Sequence, residues 1–331
     1  VQAQGLTDYP HSDAVVQELS AAMWGDADGK MVYEHAWGKG RIIWGAPLNS
    51  VLASLKTGPD VQYTRPHLNT RITWIHRRAG STDLYFLSNH RRQSEQLRVS
   101  FRVTGRVPEL WHADTGTREA ASYRIENGTT EVALTLSPEE SVFVVFAQPA
   151  TLTEHVLSPL IESPIQELKG PWQVQFPEKS GAPASITLPQ LTSWTAVADE
   201  GVRFFSGTAT YSQSLTLTAE QLRNGHQVLD LGDVRDLAEV RVNGQSAGVQ
   251  WKAPYRFDVS ALLKAGKNQI EILVTNQWTN RMLGDAKAPQ GQKVLQSSPG
   301  MMDMLFASTG QQPLPSGLLG PVQLMRVAKK H

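Results

Sequence analysis

Cysteine is absent from the 331 residues. That excludes disulfides, thiolate nucleophiles and thiolate metal sites. Neither sign of charge is in excess, since 31 Lys and Arg balance 31 Asp and Glu. Without a basic field the chain has no electrostatic footprint for nucleic acid or for an anionic lipid surface. No apolar run approaches the ~20 residues of a spanning helix. The expected partners therefore include neither nucleic acid nor membrane. The opening VQAQGLTDYP has no basic n-region and no apolar h-region, so no signal peptide is legible in it. Gly38 to Arg41 (GKGR) lacks the spacing of a phosphate loop and reads as a turn. There is no G-x-S-x-G elbow, no dinucleotide fingerprint after a strand and no His cluster with metal spacing. Asp and Glu are scattered, and nothing singles out two carboxylates of the kind that glycosidic hydrolysis sets roughly 5 to 10 Å apart. No catalytic residue is assigned in this chain.

What is present is ample apolar material, 40% of the residues, enough for two or three domains. Residues 1–68 read as α/β. HSDAVVQELSAAM carries Val15, Val16, Leu19, Ala22 and Met23 at helical spacing, with Ser12 or Asp13 as N-cap. GRIIWG is a short strand, and PLNSVLASL is a second helix. Two helices and one strand do not complete an α/β domain, so this stretch reads as the remnant of a larger module. From 69 to 149 the period becomes two. EQLRVSFRV sets Leu97, Val99, Phe101 and Val103 against Gln96, Arg98, Ser100 and Arg102. Further strands and a turn at Asn127-Gly128 argue for a β-sandwich. Residues 150–164, rich in proline, read as a linker. Residues 165–331 are again all-β, with Asn243-Gly244 as a two-residue hairpin turn. The fold class expected is mainly β: a β-sandwich plus a jelly roll, preceded by a short α/β remnant.

Nine tryptophans stand in the chain. Most belong to cores, but exposed ones suit the flat faces of sugar rings. Trp251, Lys252 and Tyr255 follow the hairpin at a loop tip, where rings and a polar group could meet a sugar or pack a loop edge. Trp194 sits in a polar loop, PQLTSWTAV, and is a weaker candidate of the same kind. VTNQWTNRMLGD leaves a strand into a segment dense with hydrogen-bonding groups. Asn280, Arg281 and Asp285 read as a loop lock, with Arg281 and Asp285 four apart and able to pair. Trp278 in the same segment could stack on a sugar. His76-Arg77-Arg78 and Asn89 to Arg92 read as a solvated basic face, and Trp111, His112 and Asp114 as a structural turn.

Several stretches carry a resemblance. FFSGTATY, LDLGDVRDLAEVRVNGQSAGVQW, PYRFDVSALLKAGKNQIEILVTN and SGLLGPVQL resemble the galactose-binding-like jelly roll of glycoside hydrolase family 2. WTNRMLGD after the VTN strand, WKAPYRFDVS and the SGLLGPVQL ending resemble glycoside hydrolase family 106, the α-L-rhamnosidases, as do WIHRRAGSTDLYFLSNHRR, FRVTGRVPELWHADTGT and HAWGKGRIIWGAPLNSVLASLKTGPDVQY. The resemblance implies that the catalytic barrel precedes Val1 and that this is the enzyme's C-terminal part. It further implies hydrolysis of rhamnosidic bonds by the whole protein, a rhamnose-containing glycan as partner, the N-terminal catalytic domain as a second partner, and a bacterial enzyme that is secreted or periplasmic. A stand-alone carbohydrate-binding module and a purely structural docking domain are the alternatives. No cofactor is assigned. A structural Ca2+ is common in jelly rolls of this type, but no oxygen-ligand set can be named for it.

Overall fold

Asn127 and Asn243 both take positive φ, 50° and 53°, with Gly128 and Gly244 following at 79° and 81°. These are the mirror-image turns that close tight hairpins, and each stands at the expected place in a β domain. The structure is a computed structural model and describes residues 1–289, 291–295 and 312–329.

The sandwich consists of two five-stranded antiparallel sheets. One runs in the order Glu154–His155, Tyr123–Glu126, Thr129–Leu136, Glu95–Phe101, Val61–Tyr63. The other runs Ile72–Ala79, Thr82–Asn89, Ser141–Pro149, Arg106–Trp111, Arg118–Ala120. Period-two patterning does what it dictates: Leu97, Val99 and Phe101 are buried while their neighbours face outward. They meet Tyr85, Leu87, Val144 and Phe146 of the facing sheet in one core. Tyr85, Phe101 and Phe146 form its aromatic centre, with Tyr85 and Phe101 ring centroids 4.8 Å apart.

The second β domain pairs a six-stranded with a four-stranded sheet. The longest strands, Thr208–Leu217 and Gly266–Thr275, lie side by side in the first. The second runs Leu160–Glu167, Gln323–Lys329, His226–Asp230, Arg256–Asp258. The two sheets share a core that includes Trp172, Trp194, Phe205 and Tyr211. Gly317, at φ +98°, lets the backbone pass under this cluster, because a Cβ there would stand 2.7 Å from the Tyr211 hydroxyl and 2.8 Å from the Trp194 ring.

Two bounds differ from the sequence reading. Val61–Tyr63 pairs with Glu95–Phe101 inside the sandwich, so the α/β stretch ends near residue 60, not 68. The expected linker 150–164 contains paired strand: Glu154–His155 pairs with Tyr123–Glu126, and Leu160–Glu167 pairs with Gln323–Lys329. Its prolines mark the boundaries of pairing. Pro159 precedes the strand, and Pro164 sits at a register shift on a sheet edge, where a missing N–H is tolerated. The remnant itself holds helix α1 (His11–Trp24), the hairpin Glu34–Trp37 and Gly40–Ile43, and helix α2 (Leu48–Ser54). The expected caps of α1 are not used; Pro10 takes the cap position, and Asp13 accepts from the Ala3 amide instead. Neither helix buries a residue.

Candidate functional site

The segment Val274 to Asp285 leaves the sheet in two steps. Asn276 first ties the strand end to its neighbour: its Oδ1 accepts from the Gly207 amide at 3.0 Å, and its Nδ2 donates to the Phe205 carbonyl at 2.9 Å. The chain then enters a helix, α4 (Thr279–Lys287), which follows the short α3 (Glu200–Arg203) in chain order. A non-repetitive loop was expected. Helix prevails because Arg, Met, Leu, Ala and Lys are good helix formers, and because Arg281 and Asp285 sit one turn apart on one face.

The three lock residues are buried. Arg281 Nε lies 3.1 Å from Asp285 Oδ1. Asp285 also accepts from the amides of Val294 and Leu295, at 3.1 and 2.8 Å. Asn280 grips Leu314 on both sides, accepting from its amide and donating to its carbonyl, each at 2.8 Å. Gly284 permits the helix to lie against Phe204, whose Cβ would be 2.6 Å from an added methyl. These groups are committed to holding chain segments together. Asn280 and Asp285 are satisfied internally, whereas Arg281 Nε lies close to Asp285 without an aligned hydrogen bond and Arg281 also lines a cavity with Glu200, Arg203 and Lys287.

The predicted sugar-contacting residues separate into three environments. Trp194 is fully buried, edge-on to Phe205 at 5.1 Å, and belongs to the core. Its polar neighbours misled the reading: Ser193 and Thr195 bond to each other at the head of a 3-10 turn, and the ring turns inward. Tyr255 is also buried; its hydroxyl donates to the Asp236 carbonyl, and burial first, then the Asp236 charge, pushes its ionisation upward. It cannot stack on a sugar. Trp278 and Trp251 are 66% and 64% exposed. Trp278 stands alone beside the lock.

Trp251 is next in sequence to residues of a cleft, without lining it. Its neighbours Gln250 and Lys252 line a cavity of about 310 Å3 between the sandwich and the second β domain. The facing wall is the 112–119 turn and its surroundings: His112, Asp114, Glu119 and Glu140. Lys252 Nζ meets Asp114 Oδ2 at 2.9 Å across the domain boundary. Burial acts to raise the Asp114 pKa, but the hydrogen bond and charge of Lys252 outweigh it and hold the carboxyl below its usual range. His112 is placed between two carboxylates, 3.0 Å from Glu119 and 3.5 Å from Glu140. The cleft brings His112, Lys252 and Arg256 together with the carboxylates of Asp114, Glu119 and Glu140. It offers acceptors and donors side by side, as hydroxyl-rich molecules require. Of this site the sequence reading held Lys252, with Trp251 beside it in sequence. It missed the turn across from them, because nothing in ELWHADTG says which domain that turn faces.

Among the described residues, two of the carboxylate pairs that line cavities are each bridged by an imidazole ring. Glu119 and Glu140 are bridged by the His112 ring, as Asp60 and Asp83 are by His76. The imidazole occupies the space that a glycosidic bond would need. Among the described residues no three His, Asp or Glu side chains converge as metal ligands.

Comparison with known proteins places this geometry. Residues 2–125 match the family described as α-L-rhamnosidase, glycoside hydrolase family 106. Residues 197–306 match the glycosyl hydrolase 2 galactose-binding domain-like family. A rhamnosidase from Novosphingobium sp. PP1Y is 38% identical, with a TM-score of 0.81, over 93% of this chain and 28% of that one. A putative β-glucuronidase from Formosa agariphila is 35% identical over 204 residues, 55% of this chain and 17% of its own length. The chain is therefore rhamnosidase-like along most of its length while spanning a minor part of each relative, and its second half carries a galactose-binding-like domain.

Proposed function

We propose that this chain, similar to family 106 α-L-rhamnosidases, serves as the C-terminal accessory region of such a glycoside hydrolase. It supports the catalytic domain and contacts carbohydrate without cleaving it. The observation that carries this reading is the likeness to the Novosphingobium rhamnosidase over 93% of the chain. Two features give it physical content. Residues 1–59 expose Leu19, Trp24 and Leu48 on helices that bury nothing, and Trp44 just after the hairpin. Such a face suits a covering domain. The interdomain cleft, with donors and acceptors side by side and the exposed Trp251 next to Lys252 in sequence, suits a neutral saccharide.

The test uses the chain alone. On an aryl α-L-rhamnoside it gives no turnover above the uncatalysed rate. In affinity electrophoresis through a rhamnose-bearing polysaccharide its migration is retarded, and Trp251→Ala removes the retardation. Turnover abolished by one Asp or Glu substitution within the chain would overturn the accessory reading. Normal migration in every polysaccharide tried would leave docking as the role and remove the carbohydrate contact.

A further inference from the structure

A second cavity, of about 450 Å3, opens at one end of the sandwich, away from the residues of the interdomain cleft. Its lining includes Asp60, His76, Arg78, Asp83, Arg102 and Arg106. The carboxylates are already engaged from within. His76 Nδ1 is 2.8 Å from Asp60, and its Nε2 is 3.1 Å from Asp83. The ring stacks on Tyr85 with centroids 4.0 Å apart and planes 13° from parallel, which fixes its direction. The Tyr85 hydroxyl adds a further bond to Asp60 at 3.2 Å.

The guanidiniums are in the opposite condition. Arg102 approaches Asp60 at 3.4 Å and Arg78 approaches Asp83 at 3.9 Å. Arg106 reaches two backbone carbonyls at 3.3 and 3.4 Å. A tight charge-assisted bond is about 2.7–2.9 Å. Three donor forks thus face one cavity while loosely held, and the acids that might neutralise them are shared with His76. Three arginines against two carboxylates leave positive charge in excess even with a neutral imidazole.

We infer that this cavity is a receptor for a small oxyanion: a carboxylate or sulfate group, carried on a sugar or free in solution. Planar guanidinium forks match such groups in two-point geometry. The inference does not depend on the carbohydrate reading of the interdomain cleft.

Calorimetric titration of the 331-residue chain tests it, with ionic strength matched by NaCl because exposed charges are screened. The probes are sodium D-glucuronate, sodium sulfate and neutral D-glucose. One saturable site for glucuronate, sulfate or both is expected, with no heat from glucose. Saturation by glucuronate alone means a sugar carboxylate; saturation by both means a general oxyanion site. The double variant Arg78→Gln, Arg102→Gln weakens binding by about tenfold or more, as expected for removing charged two-point donors. Arg98→Gln, an exposed arginine outside the cavity, leaves binding unchanged, and Arg78→Lys retains part of it. Both arginines of the double variant are substantially exposed, and an unchanged thermal midpoint verifies that folding is intact. Absence of saturation with both anions, an undiminished affinity in the double variant, or an equal loss in Arg98→Gln would each overturn the inference.

Discussion

Residues 1–59 and the two β domains are built from similar amounts of apolar residue and put them to opposite use. In α1 the spacing of Val15, Leu19 and Met23 is helical, and the helix forms, yet it buries no residue. In Thr208–Leu217 the alternating apolar residues become fully buried core. Periodicity therefore says which side chains lie on one face. It does not say whether this chain supplies the cover. The sandwich and the jelly roll close over their own faces because each has a second sheet, whereas two helices and a hairpin have nothing of the kind.

The sharpest way to break that comparison is to truncate one apolar side chain in each region. Trp194→Ala removes a fully buried ring from the jelly-roll core, and about 3–5 kcal/mol of stability goes with it. Leu19→Ala, on the exposed face of α1, changes stability by no more than about 0.5 kcal/mol. Urea unfolding of both variants measures the contrast. A large loss for Leu19→Ala would mean that the N-terminal elements are packed by this chain after all.

Next in size is the lock. Arg281→Ala leaves Asp285 buried without its cation. Removing one partner of a buried pair costs about 3–5 kcal/mol, but Asp285 keeps two amide donors, so about 2–3 kcal/mol is expected here. Arg281→Met, which fills the space without restoring charge, recovers little. Equal urea midpoints for wild type and Arg281→Ala would remove the lock from the stability account.

The sequence carried the β domains well because both signals that define them are local. Alternation in EQLRVSFRV and the Asn-Gly turns state strand, face and turn without reference to distant residues. The site was less legible, and for a physical reason. Trp194 and Trp251 both sit among polar neighbours, yet one is core and the other exposed. What separates them is the covering layer, Phe176 and Phe205 over Trp194, and that is a long-range fact. The cleft shows the same limit. Lys252 was visible as a loop-tip cation, but Asp114 lies 138 positions earlier in the chain (252 − 114) and only the docking of two domains brings them together.

A smaller effect sharpens the comparison from inside the sandwich. Glu95 is fully buried and accepts from Gln93, His67 and Thr70. Burial pushes its pKa up, but the three hydrogen bonds outweigh it and hold the carboxyl below the usual glutamate value. A pKa depressed by folding stabilises at pH above the unfolded-state value and ceases to do so as pH falls through the folded one. Acidification below about pH 4.5, the ordinary glutamate value, should therefore destabilise the wild-type sandwich. Glu95→Gln should start less stable at neutral pH and show a shallower acid decline. Parallel acid-unfolding curves for the two proteins would exclude Glu95 as a contributor.

The smallest effect concerns the joint between the two β domains. Lys252 and Asp114 form the ion pair that crosses it, each side chain 23% exposed. Partial burial places its coupling near the upper end of the surface range, about 1 kcal/mol. A double-mutant cycle with Lys252→Ala and Asp114→Ala measures that term without the cost of each truncation. Since folding depresses the Asp114 pKa, the coupling is present above the ordinary aspartate range and fades as pH falls through the folded value. A contact worth this little does not force two cores of independent construction to melt together. Calorimetry of the wild type should then resolve two transitions at neutral pH, and Lys252→Ala should shift them without changing their number. A single transition whose calorimetric and van't Hoff enthalpies agree would show that the joint is far stronger than the Lys252–Asp114 pair, and the cleft would then be a rigid feature of one cooperative body.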